Sequence, residues 1–525
     1  MILTGVVGAD DYSGNVFYYL FARNELWMSA LPLVLALLSF GHFHHFSLGN
    51  RISPTTIRAV LKRSPVLGTA IGVFLVTLAG TLLVFHNFAL CMDEYLATFQ
   101  AEIFVSGMVR APIDEPWPQF AEALKTVFVT YNPQQHTWIS IYLPVYAGIR
   151  ALFTFAGIPA VTNPLLAAAS IVALAGVARN LWPHHKSNQL LAVLMLASSS
   201  QFLVTSMTAY ALPAHLCLNL IWLWLYTRDD RIGWVLAPWV GVLAIGLHEP
   251  HYHALFVLPF LVRLVTSRRW SWCSYFASVY ATGCVVWLTW MSDVRPDVAS
   301  GGGGVHSLSS TFGFLGVLTP LIQVMSLSLL FSWQSFAMIL LALISLRTWR
   351  AMTPFFRDLV WGCLLTLSFY VILKGTQAHG WGYRFCHTIL GNLALLAVVG
   401  WNDMRQIFGV RKVAEFVLIS SLVALLIQFP IRCVQAEKFV RPFANAMHYL
   451  SSIRTSFVVI DGNAVWYSQD LVRNDPFLRN SPKVLFAHEL NPELFEKLRN
   501  LGGVHLVQTE ELTQFGMRAT KPQQK

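Results

Sequence analysis

Charge is what this chain has least of. Asp, Glu, Lys and Arg make up 12% of its 525 residues, against 55% hydrophobic residues. Soluble domains carry about 25% charged residues, so the deficit excludes an ordinary water-soluble protein. Other absences narrow the field further. No CxxC pair occurs among the seven cysteines, Cys91, Cys217, Cys273, Cys284, Cys363, Cys386 and Cys433, so neither a zinc motif nor a disulfide framework is expected. No glycine-rich phosphate loop is present; Gly462 and Gly502-Gly503 fit turns. The first 24 residues carry Asp10 and Asp11 and lack a basic start followed by an apolar core, so no signal peptide is expected. The net charge of +10 is dispersed over short loops instead of forming a basic stripe, which argues against a nucleic-acid partner.

What the chain does have is a succession of apolar stretches of membrane-spanning length. Spans are expected at 26–43, 66–90, 161–181, 190–207, 211–226, 234–247, 252–265, 272–291, 327–346, 359–373, 385–401 and 413–429. His42, His44 and His45 crowd the end of the first, which either crosses the membrane or lies in its interface. Two further apolar stretches, 138–155 and 311–325, are expected as juxtamembrane or re-entrant helices, because Arg150 interrupts one and Gly301–Gly304 precedes the other.

Lys and Arg then orient the chain. One set of loops holds Arg51, Arg58, Lys62 and Arg63, and later Arg263, Arg268 and Arg269, whereas the opposite set holds chiefly Arg110, Lys125, Arg295 and Arg384. The positive-inside rule puts the second set outside the cytoplasm. The loop 93–133 is expected to contain two surface helices, 94–108 and 118–131. Beyond Pro430 the pattern changes to short strands at 457–460, 484–487 and 504–507 with a helix at 492–498, which predicts a small α/β unit on the outer side.

On this topology the unusual polar residues gather at the outer face. They are Asp93-Glu94, His136, Tyr210, His248, Glu249, His251, His253, Lys374, His379, Tyr383 and Arg384. Convergent polar groups at a membrane interface define the default site. Asp93 is the expected catalytic base, with Glu94 in support; consecutive helical residues differ by about 100° in direction, so the two acids have different tasks. Arg384 is the expected phosphate ligand, because a guanidinium engages phosphate through two N–H groups. His248, Glu249, His251 and His253 leave two readings open, a divalent metal site or a hydrogen-bonded substrate loop. Trp138 and Trp381 fit an interfacial aromatic belt.

Several of these features together resemble the GT-C superfamily of polytopic glycosyltransferases, in particular the protein O-mannosyltransferases and lipid A aminoarabinose transferases. They are Met92-Asp93-Glu94, the surface helices expected after it, Asn132-Pro133-Gln134-Gln135-His136, Thr208-Ala209-Tyr210-Ala211-Leu212-Pro213, and the terminal outer unit. The likeness covers the layout of 66–429, and the acid motif is its most specific part. It implies a polyprenyl-phosphate sugar donor, an extracytoplasmic site, inversion at the anomeric carbon, and Asp93 as general base. It also implies that Arg384 and Tyr383, with Lys374, hold the donor phosphate. The chain departs from the family at Gln134-Gln135-His136, where an acidic or basic residue often precedes a proline, and in the density of the His248–His253 cluster.

The resulting expectation is an all-α polytopic membrane protein with about 11–12 transmembrane helices, juxtamembrane helices and a small C-terminal extracytoplasmic α/β domain. Its regions are 1–65, a catalytic membrane domain at 66–430 with an outer loop at 91–160, and 431–525. The expected activity is transfer of a sugar to an envelope glycan, lipid or protein at a bacterial inner membrane, with no cofactor required. The alternatives are a lipid-linked polysaccharide ligase or polymerase, a secondary transporter, and a non-catalytic scaffold.

Overall fold

The structure, a computed structural model, describes residues 16–25, 28–30, 34, 65–294, 319–372, 377 and 379–520. Lys374, Gly301–Gly304 and most of the expected spans 26–43 and 311–325 lie outside the described residues. A short helix α1 (Val16–Leu20) precedes the first long described helix, α2 (Pro65–Leu83). α2 has a mean hydropathy of 2.2 and only 28% of it is buried, so Leu67, Ile71 and Leu75 point outward as a lipid-facing surface requires.

The sequence predicts that this span runs to Leu90, yet the helix stops at Leu83. His86 and Asn87 adopt positive φ of 55° and 51°, a left-handed geometry that no right-handed helix continues. The chain then restarts as α3 (Met92–Val105), with Asp93 and Glu94 in its first turn. The acid pair therefore opens a helix instead of closing one. Unpaired N–H groups and the helix dipole favour anions at that position.

The loop expected on the outer side is α3, then β1 (Ala111–Pro112), β2 (Val129–Asn132) and β3 (Thr137–Ser140) in an antiparallel sheet ordered β1-β3-β2, then α4 (Val145–Phe155). The surface helix expected at 118–131 is absent: only the short turns Trp117–Phe120 and Ala121–Leu124 are helical. Val127, Phe128, Val129, Thr130 and Tyr131 favour a strand, because β-branched and aromatic side chains fit a pleated, half-buried surface. α4 is amphipathic and turns Arg150 inward, where its Nε donates to Thr98 Oγ1 of α3 at 2.9 Å.

The bundle continues through α5 (Thr162–Leu181), α6 (Lys186–Ala197), α7 (Ser200–Thr205), α8 (Leu212–Thr227), α9 (Arg231–Ile245), α10 (His251–Thr266) and α11 (Trp270–Val294). Then come α12 (Thr319–Ser332), α13 (Phe336–Ser345), α14 (Pro354–Ile372), α15 (Leu390–Phe408), α16 (Val410–Val423) and α17 (Phe429–Ser452). Among the described residues five helices are long and apolar enough to cross a membrane, or six if the bent pair α12–α13 is one span. That is fewer than the expected count. α8, α9 and α10 have only 16, 15 and 16 residues, and two expected spans are broken.

The breaks support each other. α6 and α7 part at Ser198-Ser199, and α12 and α13 bend by 110°. Ser199 Oγ donates to Gln334 Oε1 at 2.5 Å, Gln334 Nε2 donates to Gln201 Oε1 at 2.9 Å, and Gln201 N donates to Trp333 O at 3.2 Å. Polar backbone freed inside a bundle persists only when satisfied this way. The expected end of the last span at Pro430 is also corrected. A π turn joins α16 to α17, and the helical path runs 43 residues from Val410 to Ser452. Pro430 sits in the first turn of α17, where its missing N–H costs little.

The terminal unit carries β4 (Phe457–Ile460), β5 (Lys483–Phe486), α18 (Pro492–Leu501) and β6 (Val504–Leu506), as the pattern predicts. Its sheet is parallel, ordered β5-β4-β6. It shares one hydrophobic core with the outer loop: Leu96, Phe99 and Trp138 pack with Phe457, Leu485 and Leu498. Trp138 is 1% exposed and donates from Nε1 to Pro476 O at 2.8 Å, so it is a core residue and not a belt residue. Trp381 is likewise buried, edge-on to Phe85.

Candidate active site

The start of α3 points Asp93 into a cavity of about 360 Å³ whose wall includes Tyr142, Tyr210, His248, Glu249, His251 and Arg384. Asp93 Oδ1 accepts a hydrogen bond from Tyr142 Oη at 2.5 Å, and Oδ2 lies 3.4 Å from Arg384 Nη1. His248 stacks on Tyr142 with ring centres 4.0 Å apart. Burial alone would raise the Asp93 carboxyl. Arg384, His248 and the Tyr142 hydroxyl outweigh it and hold the group below the usual carboxylate range.

Arg384 is aimed by the loop before α15. Gln377 Oε1 accepts from Arg384 N at 3.0 Å and Gln377 Nε2 donates to Gly382 O at 2.8 Å. Gly382 has φ +82°, and a Cβ there would meet Gln201 Oε1 at 2.5 Å, so only glycine fits. The guanidinium donates to Tyr210 Oη at 2.6 Å and lies over the rings of Tyr210 and Phe385, both at 5.2 Å. Its Nε has no hydrogen-bond partner among the described residues. A buried cation with an unused donor beside a cavity is prepared for an anion.

Behind it, Tyr210 Oη meets His379 Nε2 at 2.8 Å and Cys91 Sγ at 3.2 Å, and His379 Nδ1 meets Tyr467 Oη at 2.9 Å. Burial and the nearby Arg384 push His379 down to about 3, so its ring is neutral and fixes the Tyr210 hydroxyl.

Of the residues expected from sequence, Asp93, Tyr210, His248, Glu249, His251 and Arg384 line the cavity together. His379 stands one layer behind. Glu94 does not face this space: it is fully buried, and its Oε2 accepts from Ala209 N at 3.1 Å. His136 is on the exposed β2–β3 turn, with φ 48° and Nδ1 3.0 Å from Tyr131 Oη, away from the cavity. Tyr383 is buried beside Phe385 and lends its carbonyl to Gln201 Nε2 at 2.8 Å. His253 points into the bundle, between Asn219 Oδ1 at 2.7 Å and Tyr280 Oη at 2.8 Å.

The orientation of His253 breaks up the four-residue metal set. His251 and His253 are two positions apart on α10, about 200° around the helix, so they cannot face one ion. His251 Nε2 is instead 2.7 Å from Tyr370 Oη. Cys91, Glu94 and His379 form a tighter buried cluster, with ligand atoms within 4.8 Å of one another. Both ring nitrogens of His379 are already engaged by tyrosine hydroxyls, so its fit to a metal is poor. Sequence reasoning missed Tyr142 and Tyr370, two ordinary tyrosines with no motif around them.

The chain matches no protein-family model and no curated protein. It does superpose on ArnT from Cupriavidus metallidurans bound to undecaprenyl phosphate, with a TM-score of 0.50 and 12% identity. That match covers 81% of this chain and 86% of ArnT. The fold is GT-C-like. Apo ArnT aligns with a TM-score of 0.49 and 12% identity, over 80% of this chain and 85% of its own. The layout comprises the helical bundle and the small α/β unit. A larger cavity of about 540 Å³, between α1, α17 and the terminal unit, has no carboxylate in its wall.

Proposed function

We propose that this chain transfers a sugar from a polyprenyl-phosphate donor to an acceptor hydroxyl at the outer face of the membrane. The observation that carries the reading is the pairing of Asp93 with Arg384, 3.4 Å apart on one cavity wall. Asp93, ionised at neutral pH, takes the proton of the acceptor hydroxyl as its oxygen bonds to the anomeric carbon. The bond from that carbon to the phosphate oxygen breaks, and the phosphate leaves with the electron pair. Arg384 stabilises that charge, with Tyr210 holding the guanidinium. Attack from the face opposite the leaving group inverts the anomeric carbon. Leu212, Phe369 and Phe385 give the cavity an apolar side suited to a lipid tail.

The wider reading keeps Asp93 as base and Arg384 as phosphate ligand, with His248, Glu249 and His251 around the sugar. His379 supports Tyr210, and the reading requires no cofactor. The concentration of Lys and Arg in one set of loops supports a site outside the cytoplasm. A secondary transporter would share the broken helices, but their polar groups pair with each other and line neither cavity described above. The test is transfer or hydrolysis of a panel of polyprenyl-phosphate sugars by wild type and Asp93→Asn. Equal turnover in both proteins overturns the assignment of the base.

A further inference from the structure

We propose that a second cavity, behind the wall that holds Glu94, binds a phosphate group. It has about 260 Å³ of space between α2, α3 and α4. Ala209, whose N–H holds Glu94, lines this cavity, while its neighbour Tyr210 lines the first. The two spaces therefore lie on either side of one short stretch of chain.

Arg150 and Arg473 both line this cavity and are each 8% exposed. A buried guanidinium is costly unless it meets a carboxylate. The other deeply placed arginines obey that rule: Arg432 binds Glu25, Arg263 binds Asp358 and Arg384 meets Asp93. Arg150 donates to two neutral acceptors, Thr98 Oγ1 at 2.9 Å and Pro159 O at 3.3 Å, with the Tyr146 hydroxyl beside it. Arg473 likewise has only the carbonyls of Asp470 at 2.6 Å and Leu90 at 3.1 Å, and it lies over Phe88 at 4.4 Å. Among the described residues neither enters an ion pair.

The nearby acids do not replace the missing anion. Glu94 and Asp470 act on Arg473, and Glu102 on Arg150, all from beyond salt-bridge contact, and burial pushes all three acids up to about 7. A tetrahedral oxyanion in the cavity would give both buried guanidiniums the charged partner they lack. The rest of the wall is mixed, with Phe85, Met207 and Met447 beside the polar Asn87, Asn163 and Thr208, so it suits either a free phosphate or the headgroup of a lipid. The inference does not depend on the transferase reading, because binding is read directly.

Full-length protein in neutral detergent is titrated with radiolabelled inorganic phosphate and, separately, with vesicles of phosphatidylglycerol in phosphatidylcholine. Saturable binding of at least one probe is expected; phosphate alone identifies a free oxyanion, and vesicles alone a lipid headgroup. Arg150→Gln and Arg473→Gln should each weaken binding by about tenfold or more. Ala160→Trp, which fills the cavity and keeps both guanidiniums, should do the same. Phenylglyoxal mapping of the wild type needs no variant: the bound probe should protect Arg150 and Arg473. Failure of the wild type to bind either probe overturns the proposal. So does protection confined to Arg384, or wild-type affinity in all three variants.

Discussion

Asp93 and Glu94 are consecutive in the first turn of α3, and their carboxylates have opposite surroundings. Asp93 reaches the cavity between Tyr142 and Arg384, where a cation and a hydroxyl favour its charge. Glu94 is sealed in protein with Oε2 on the Ala209 amide and Oε1 unpartnered, so burial pushes it up to about 7. One acid is held ionised and accessible, and the other is held close to neutrality inside the wall. This division supports the role proposed for Asp93.

Asp93→Asn keeps the size and the Tyr142 contact but removes the base. Loss of a general base typically costs 10²- to about 10⁴-fold in rate. Turnover of a polyprenyl-phosphate sugar is expected to fall by about that factor with donor affinity little changed. Single-turnover kinetics at saturating donor check it.

The pH profile should show the same base. Because the Asp93 carboxyl is held below the usual carboxylate range, it stays ionised as the pH falls through 6 and 5. The acid limb of turnover is expected below about pH 4, the ordinary carboxylate value. A limb near pH 7 would point to Glu94 instead.

Arg384→Ala should act twice. Loss of a charged hydrogen-bond donor weakens donor phosphate binding by about 10- to 100-fold. It also removes the cation that lowers Asp93, so the acid limb moves upward. Arg384→Lys retains the charge without the planar fork and should recover the pH profile more fully than the affinity.

Glu94→Gln tests the buried wall through stability. The folded-state value of Glu94 is raised from 4.5 to about 7, so folding favours the protonated form. Its contribution is intact below pH 4.5 and lost as the pH rises through 7. Glutamine keeps an acceptor for Ala209 N–H without the charge. Relative to wild type, the variant should therefore gain stability between pH 5 and 8, by up to about 3 kcal/mol. Melting temperatures across that range decide it.

His136→Ala is the contrasting case. Its ring meets only Tyr131 on an exposed turn, so turnover and donor affinity should stay within about twofold of wild type, since surface changes away from such sites have small effects. Trp138→Ala, two residues on, removes a buried indole from the core shared with the terminal unit. It should cost about 3–5 kcal/mol in stability.

Much was legible in the order of residues. Low charge and apolar runs specify a polytopic helical membrane protein, because each span must satisfy its own backbone in lipid. The terminal strands at 457–460, 483–486 and 504–506 follow from β-branched runs between turns. Asp93, Tyr210 and Arg384 stood out as polar groups at apolar boundaries, and tertiary structure gathers them over nearly 300 residues of chain. What only the tertiary structure decided is direction. A helix repeats every 3.6 residues, so one histidine cluster divides into His251 toward the cavity and His253 into the bundle, according to what packs beside α10. The helix breaks at Ser198-Ser199 and near Gln334 were equally hidden, since each is tolerated only because the other supplies its hydrogen bonds. Asp93 and Glu94 follow the same rule: sequence places both acids at one boundary, and the packing around α3 determines which meets the cavity.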